Sequence, residues 1–497
     1  MSPAVEVFPA WLLLQRATSL PAHKRLLPLG QSDMYGFSLI SLSSALAAGA
    51  GIGGGGMLVP ILILIVGFEP HDATPLSNVA ILGGSLANLY SNAPRRHPIR
   101  DKPLISYEVA LLMEPMTMLG ALGGCVLNKI FPGWLISVLL VAVLGLTAIR
   151  TLKKASSLWE RESTAAASPY FEKEVVLDDE DTILGSGSVP LLSDNRLIPP
   201  ALPLAGKSEF SFSSMLRAET WNLSFAKDPW RSQSLDDKDV LDGEVAMAVN
   251  QAVQEKEERR QMRILERSPN LTDIMTLVIL LIVCFVLSLF RGHFGESLSY
   301  VKCGSITYWL LFAAEFLIIV IVSLWARARL MKRHARRMAC QYKFVEGDVR
   351  WNARNTQVYP MLCIVAGMCA GMFGIGGGIV KGPLMLEMGM IPAVSSATAS
   401  YMIIYTSATA ALSYAIAGQV EPTYAVALFI VGFLSTLIGQ AVLNALLKRV
   451  RKQSVIVFLI GVIIAISAFA MAVVGGYNFY HTWRRGRSQG FLPLCLS

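Results

Sequence analysis

The apolar positions of this chain fall into long runs. Ile105–Leu127, Trp134–Leu152, Ile274–Phe290, Ile306–Trp325, Ala393–Ala417, Tyr424–Leu447 and Val455–Val474 each approach or exceed the roughly 20 residues that a helix needs to cross about 30 Å of hydrocarbon. Two further segments, Phe37–Val66 and Val358–Met388, are longer and carry a run of glycines in the middle. A single helix of that length would overshoot the bilayer, and each glycine inside it would cost about 1 kcal/mol. Each segment is therefore predicted to be two short half-helices joined by an unwound loop at membrane depth. Exposed backbone is tolerated there only where protein or an aqueous cavity covers it. The pattern predicts an all-α integral membrane protein with broken, glycine-interrupted membrane segments.

The glycine segments also reveal a repeat. Gly51-Ile52-Gly53-Gly54-Gly55-Gly56 is followed by Pro60, nine residues after Gly51, and Gly374-Ile375-Gly376-Gly377-Gly378 by Pro383, nine residues after Gly374. Beyond each come a second proline (Pro70, Pro392), a small-residue helix rich in Ser, Thr or Asn, and two more apolar runs. The organisation read from this is an N-terminal segment (1–34), membrane repeat 1 (35–154), a cytosolic linker (155–270), two additional transmembrane helices (271–327), a basic cytosolic loop (328–356), membrane repeat 2 (357–476) and a tail (477–497). The linker holds 13 Lys/Arg against 21 Asp/Glu, about −8 in a chain of net +8, so the rest carries about +16. With Pro199-Pro200, Ser-rich pieces and the acidic run Asp178–Asp181, it is expected to be largely disordered. Only Val245–Arg267 reads as a juxtamembrane helix.

Basic loops prefer the cytosol. In the first repeat the loop with Arg95, Arg96, Arg100 and Lys102 is the basic one; in the second it is the later loop, Lys448–Lys452. That reversal favours two repeats inverted with respect to each other. A plain charge count that includes Lys24, Arg25 and the tail Arg484, Arg485 and Arg487 would instead suit parallel repeats. Both arrangements put the acidic linker in the cytosol.

Composition narrows the function. With 53% hydrophobic and only 16% charged residues, a set of soluble domains is excluded. The positive charge sits at the ends of apolar runs, where membrane orientation rather than nucleic acid requires it. The seven cysteines show no metal-ligand spacing, and Cys125, Cys284, Cys363 and Cys369 lie in apolar segments as small hydrophobes. No metal site and no cofactor are expected. Phe8–Leu14 is too short to span and lacks a cleavage site, so no classical signal peptide is expected.

The paired glycine segments, each followed by a proline and a small-residue helix, resemble the sulfite exporter TauE/SafE family of membrane transporters over about Tyr35–Lys154 and Val358–Gly476. The linker and the extra helix pair look like the longer eukaryotic form. The resemblance implies transport of sulfite or an organosulfonate and a multi-pass membrane localisation. Physical argument points the same way. A helix that restarts after an unwound loop presents unpartnered N–H groups carrying about half a positive charge, and glycine lets an anion approach them. Pro60 and Pro383 are expected in the first turns of the restarted helices, where a missing N–H costs least. Two such starts would form a cradle for a small anion, with Gly53, Gly54, Gly55, Gly56, Gly376, Gly377 and Gly378 as its backbone. The same glycines could instead serve only close helix packing.

Ser77, Asn78, Ser85 and Asn88, with Ser396, Thr398, Ser400 and Thr406 in the second repeat, could supply donors to the anion or satisfy helix carbonyls. Lys381, in an apolar arm beside the glycines, could be a fixed countercharge; snorkelling to water or pairing with Glu387 would also account for it. Glu114 could take up a coupling proton, since desolvation disfavours its charged form, or bond structurally to a neighbouring helix. Glu315 reads as structural. No nucleophile–base arrangement of an enzyme appears in the membrane segments. The expected function is secondary transport of a small anion, with an anion channel, or a scaffold or receptor acting through the linker, as alternatives. The expected partners are the anionic substrate, a coupling proton or ion and the lipid bilayer, with no nucleic acid.

Overall fold

The computed structural model describes residues 30–48, 55–167, 264–291, 304–340, 347–449 and 454–484, with isolated positions between them. Apart from one β-bridge between Arg96 and Pro103, the regular structure among the described residues is helical. In chain order the helices are α1 (Gln31–Ala48), α2 (Gly55–Ile61, running into a π-helical turn at Leu62–Val66), α3 (Pro70–Asn92), α4 (Tyr107–Ile130), α5 (Gly133–Ala167), α6 (Leu271–Arg291), α7 (Ile306–Ala339), α8 (Asn355–Phe373), α9 (Gly378–Glu387), α10 (Pro392–Ile416), α11 (Pro422–Arg449) and α12 (Ser454–Arg484). Six helices among the described residues are long and apolar enough to cross a membrane. The chain is an all-α integral membrane protein.

The helices differ sharply in what surrounds them. α4 is almost wholly buried among its neighbours, whereas α6 and α7 turn Ile279, Ile282, Phe290, Leu317, Ile321 and Leu324 outward. Lipid is as apolar as those side chains, so their exposure is the expected state of a membrane surface.

Three helices run past the boundaries drawn from hydrophobicity. α5 continues to Ala167, through the start of the segment read as linker. α12 reaches Arg484, into the segment read as tail. α7 continues to Ala339, so residues 328–339 are helix and not loop. The apolar run ends near Trp325, but Ala, Arg, Leu and Met carry a helix onward on propensity alone. The extension has a purpose in packing: Arg333 pairs with Asp273 at 2.7 Å and Arg337 with Glu108 at 2.7 Å, tying α7 to α6 and α4. Of the linker, the described positions up to Glu266 are helical, and most of residues 168–263 lie outside the described residues. The basic loop at Lys448–Lys452 does so from Val450 onward.

The second glycine segment is broken. α8 stops at Phe373 and α9 starts at Gly378, and Gly374, Gly376 and Gly377 between them have φ of 67°, 68° and 70°. A residue with a Cβ is strained there, so the run of glycines is a requirement of backbone handedness. α9 restarts at Gly378, five residues before Pro383, so that proline falls in the second turn and not the first; Pro60 likewise lies five residues after Gly55, the first described residue of α2. In the first segment, residues 49–54 lie outside the described residues.

Helix directions follow from contacts. A Cβ on Gly120 would stand 2.1 Å from Ile364 O, one on Gly124 2.4 Å from Met368 O, one on Gly367 2.0 Å from Thr117 O and one on Gly371 2.3 Å from Ala121 O. α4 and α8 therefore run side by side in the same direction, with backbone directly against backbone. α1 and α11 do likewise: the Tyr424 hydroxyl donates to Asp33 (3.0 Å), while Gln440 donates to Ala48 O (2.8 Å). Phe68, just beyond the π turn, stacks edge-on against the same Tyr424 (5.0 Å). α1 and α2 are thus a hairpin whose two outer ends meet at the start of α11. The second hairpin, α8 and α9, opens instead where α4 and α10 begin, since Ser106 N–H donates to Thr398 Oγ1 (3.0 Å). As α10 leads from that end to the start of α11, the two hairpins enter from opposite ends of the bundle.

Candidate functional site

The tips of the hairpins meet. A Cβ on Gly55, the first residue of α2, would stand 2.5 Å from the backbone of Ile375, inside the loop of the other hairpin. Gly56 faces the Ile379 side chain of α9. These glycines pack closely, as the alternative reading required, and that same packing brings the two restarted helices together.

At the start of α9 the Lys381 N–H bonds Gly377 O (3.1 Å) in the first turn, and its side chain passes Gly377 on the way inward. Its ammonium donates to Glu114 Oε2 of α4 (2.9 Å) and to Thr406 Oγ1 of α10 (2.8 Å), while the Thr406 hydroxyl donates to Glu114 Oε1 (2.5 Å). All three residues are 0% exposed. The trio is neutral and internally satisfied, the condition under which charges are held in a low-dielectric interior. Lys381 is therefore neither snorkelling nor paired with Glu387, which is exposed.

The carbonyl ends of the half-helices are satisfied by side chains from elsewhere. At the end of α8, Asn128 donates to Met372 O (2.7 Å), Tyr414 to Gly371 O (2.6 Å) and Ser77 to Gly374 O (2.7 Å). At the end of α1, Gln440 bonds Ala48 O and also Asn88 Oδ1 (2.8 Å), and Asn88 donates to Ser400 Oγ (3.4 Å). Terminal carbonyls concentrate negative charge. Covering them leaves the amide end of α9 at Gly378 as the pole beside the junction of the two hairpins.

The expected site residues separate into groups. Lys381, Glu114 and Thr406 come together. Gly55 and Gly56 meet Ile375 and Ile379 of the other hairpin, whereas Gly376 faces Ile81 and Ile403, and Gly377 faces Ala366, Ala370 and Lys381. Gly378 begins α9, and Gly53 and Gly54 lie outside the described residues. Ser400 belongs to the network at the end of α1. Asn78 donates to Thr74 O (3.2 Å), and its buried Oδ1 has no partner among the described residues. Thr398 is not brought to the trio: it accepts from Ser106 at the start of α4. Glu315 holds Arg291 (2.9 Å), a structural pair between α6 and α7. Asn128, Gln440 and Tyr414 were missed. For Asn128 and Gln440 the available signal was a lone amide in an otherwise apolar run, akin to the lone charge that singled out Lys381 and Glu114.

Where α4 begins, a cavity of about 550 Å³ is lined by Lys102, Glu108, Asp273, Arg333, Arg337 and Tyr342 among others. His97 borders it, and burial together with the Lys102 charge pushes its imidazole down to about 4.

The family model for the sulfite exporter TauE/SafE matches residues 37–177 and 267–471, which include both hairpins and the helices around them. The chain belongs to the TauE/SafE family. It is 29% identical to the Arabidopsis thaliana sulfite exporter TauE/SafE family protein 3 over 91% of this chain and 80% of that protein. To family protein 1 of the same plant it is 27% identical over 98% of this chain and 92% of the relative. A shorter stretch, 23% of the chain and 42% of the relative, is 30% identical to the probable membrane transporter protein YunE of Bacillus subtilis. No solved structure matches. As a TauE/SafE member with these spanning helices, the chain is a multi-pass membrane transporter and not an enzyme.

Proposed function

We propose that this transporter is a secondary carrier of a small oxyanion, sulfite or an organosulfonate, and that the anion binds where the two glycine hairpins meet. The observation that carries the reading is Lys381: a wholly buried ammonium beside the glycine tips, on the amide end of α9. A fixed cation, helix N-terminal N–H groups and a hydroxyl are the donor set a tetrahedral or pyramidal oxyanion takes. Gly53–Gly56 and Gly376–Gly378 would supply the close backbone, with Ser77, Asn78 and Ser400 nearby. The names of the plant relatives, sulfite exporter TauE/SafE family proteins, fit this class of cargo. The test is flux of sulfite, sulfate, thiosulfate and small sulfonates into liposomes holding the purified protein. Saturable flux of at least one anion is expected. Gly377→Val should abolish it in protein that still inserts, because that residue has φ +70° and a Cβ there would lie 3.3 Å from the Lys381 side chain. Equal flux in both proteins would remove the site assignment.

We also infer that the two five-helix units, α1–α5 and α8–α12, are inverted repeats. The opposite entry of the hairpins supports this, as does the interchange of partners, α4 with α8 and α1 with α11. The end where α4 begins is then cytosolic. A single cysteine at Val450, in a background without native cysteines, should resist an impermeant thiol reagent in intact cells and react once they are opened. Labelling in intact cells would favour parallel repeats.

A further inference from the structure

We propose that Glu114 is a built-in competitor of the transported anion for Lys381, so that anion binding is accompanied by protonation of Glu114 and one proton travels with each anion in the same direction. The inference rests on the anion-transport reading and assigns its coupling.

The Glu114 carboxylate is held as a small oxyanion would be held. One oxygen takes the Lys381 ammonium at 2.9 Å, the other the Thr406 hydroxyl at 2.5 Å. A sulfite or sulfonate group presents oxygens of the same charge type at similar spacing and would draw on the same two donors. Both cannot do so at once. The trio is 0% exposed, and a second anion on one ammonium would leave a net negative charge without water to solvate it, which a buried site does not sustain. The balance closes if Glu114 gains a proton as the anion arrives. Ammonium and carboxylate sum to zero before binding, and ammonium, monoanion and neutral acid sum to zero afterwards. The neutral acid keeps a hydroxyl with which to donate to the bound anion or to Thr406. Release reverses both steps on the other side.

The groups that bear on Glu114 come from every helix around it. α9 brings Lys381, α10 brings Tyr401 and Tyr405 (hydroxyls 2.7 Å apart) and α8 brings Cys363. α6 and α7, which also pack on α4, bring none of their charged groups to it. Among the described residues, Lys381 is thus the one fixed cation within reach, for the carboxylate and for a substrate alike.

Methanesulfonate is the probe, because its own charge is constant between about pH 5 and 8. Wild-type protein should bind it more weakly as pH rises, approaching tenfold per pH unit, as linkage to a single proton requires. In weakly buffered solution each anion bound should withdraw one proton. In Glu114→Gln the pH dependence should vanish and affinity at high pH should exceed the wild type's. The double variant Glu114→Gln/Lys381→Met, which leaves no buried charge unpaired, should fold and bind no anion. If Glu114→Gln yields no folded protein, proton uptake by the wild type decides alone. Unchanged pH dependence in Glu114→Gln, or binding without proton uptake, overturns the inference and leaves the transport reading in place. Failure of methanesulfonate, sulfite, sulfate and thiosulfate all to bind the wild type would remove the transport reading and the inference with it.

Discussion

Seven residues beyond Gly374, in the second hairpin, stands Lys381; seven beyond Gly51, in the first, stands Leu58, buried just as deeply. The surroundings diverge in the same way. Lys381 meets a carboxylate and a hydroxyl, while Leu58 belongs to an apolar cluster with Val59, Leu62 and Ile81. At the tip of α1 the polar groups are all neutral: Asn88, Ser400 and Gln440. Both hairpins end a half-helix before a glycine run, cap its carbonyls with amides from the fourth helix of the other unit and restart against each other. A backbone plan shared by two hairpins is what folding requires of them. A charge carried by only one is what the proposed anion site draws on.

That contrast can be broken most severely at Leu58. Leu58→Lys would put an ammonium into the first hairpin with no carboxylate opposite it. The cost of an uncompensated buried charge, about 3–5 kcal/mol, exceeds what most membrane domains can lose. The expected result is little or no monodisperse protein in size-exclusion chromatography. A well-folded Leu58→Lys variant would mean that the first hairpin already holds a hidden partner, and the two sites would then be alike.

A smaller effect tests the part the hairpins share. Asn128→Leu uncovers Met372 O, and Gln440→Leu uncovers Ala48 O. Each should lower stability by about 1–3 kcal/mol, the cost of one buried unsatisfied group, seen as a fall in the thermal midpoint in detergent. Similar losses in both would confirm equal roles. A loss confined to Asn128→Leu would show that only the charged hairpin depends on its cap.

Local features were legible in the sequence. Glycine runs inside over-long apolar segments gave the broken helices, because the cost of consecutive glycines is paid locally. A lysine in an apolar arm stood out for the same reason. Its partner did not. Glu114 lies 267 positions away, and only the packing of α4 against α9 and α10 brings it to Lys381; a search along one helix finds Glu387 instead. Helix ends were also hidden where apolar character and helix propensity part company, as in residues 328–339. The caps Asn128 and Gln440 went unnoticed because an amide inside a membrane helix has many uses, and the one it serves depends on which carbonyl lies opposite.

The seam between α4 and α8 has a mechanical consequence. Each glycine there is a notch filled by a carbonyl of the other strand of the seam, so the two helices fit as a key fits its lock. Sliding by one residue would push Ile364 O from the notch at Gly120 onto the methyl group of Ala121. The pair cannot slip past one another the way oiled rods do, and so behaves as a single beam of the frame. Glu114 rides on that beam. Lys381 rides on α9, whose backbone joins the beam through the left-handed glycines Gly374, Gly376 and Gly377 and whose side chain meets it at Glu114. For the carrier proposed above, that division would set a fixed jaw and a moving jaw apart, with the carboxylate on one and the ammonium on the other.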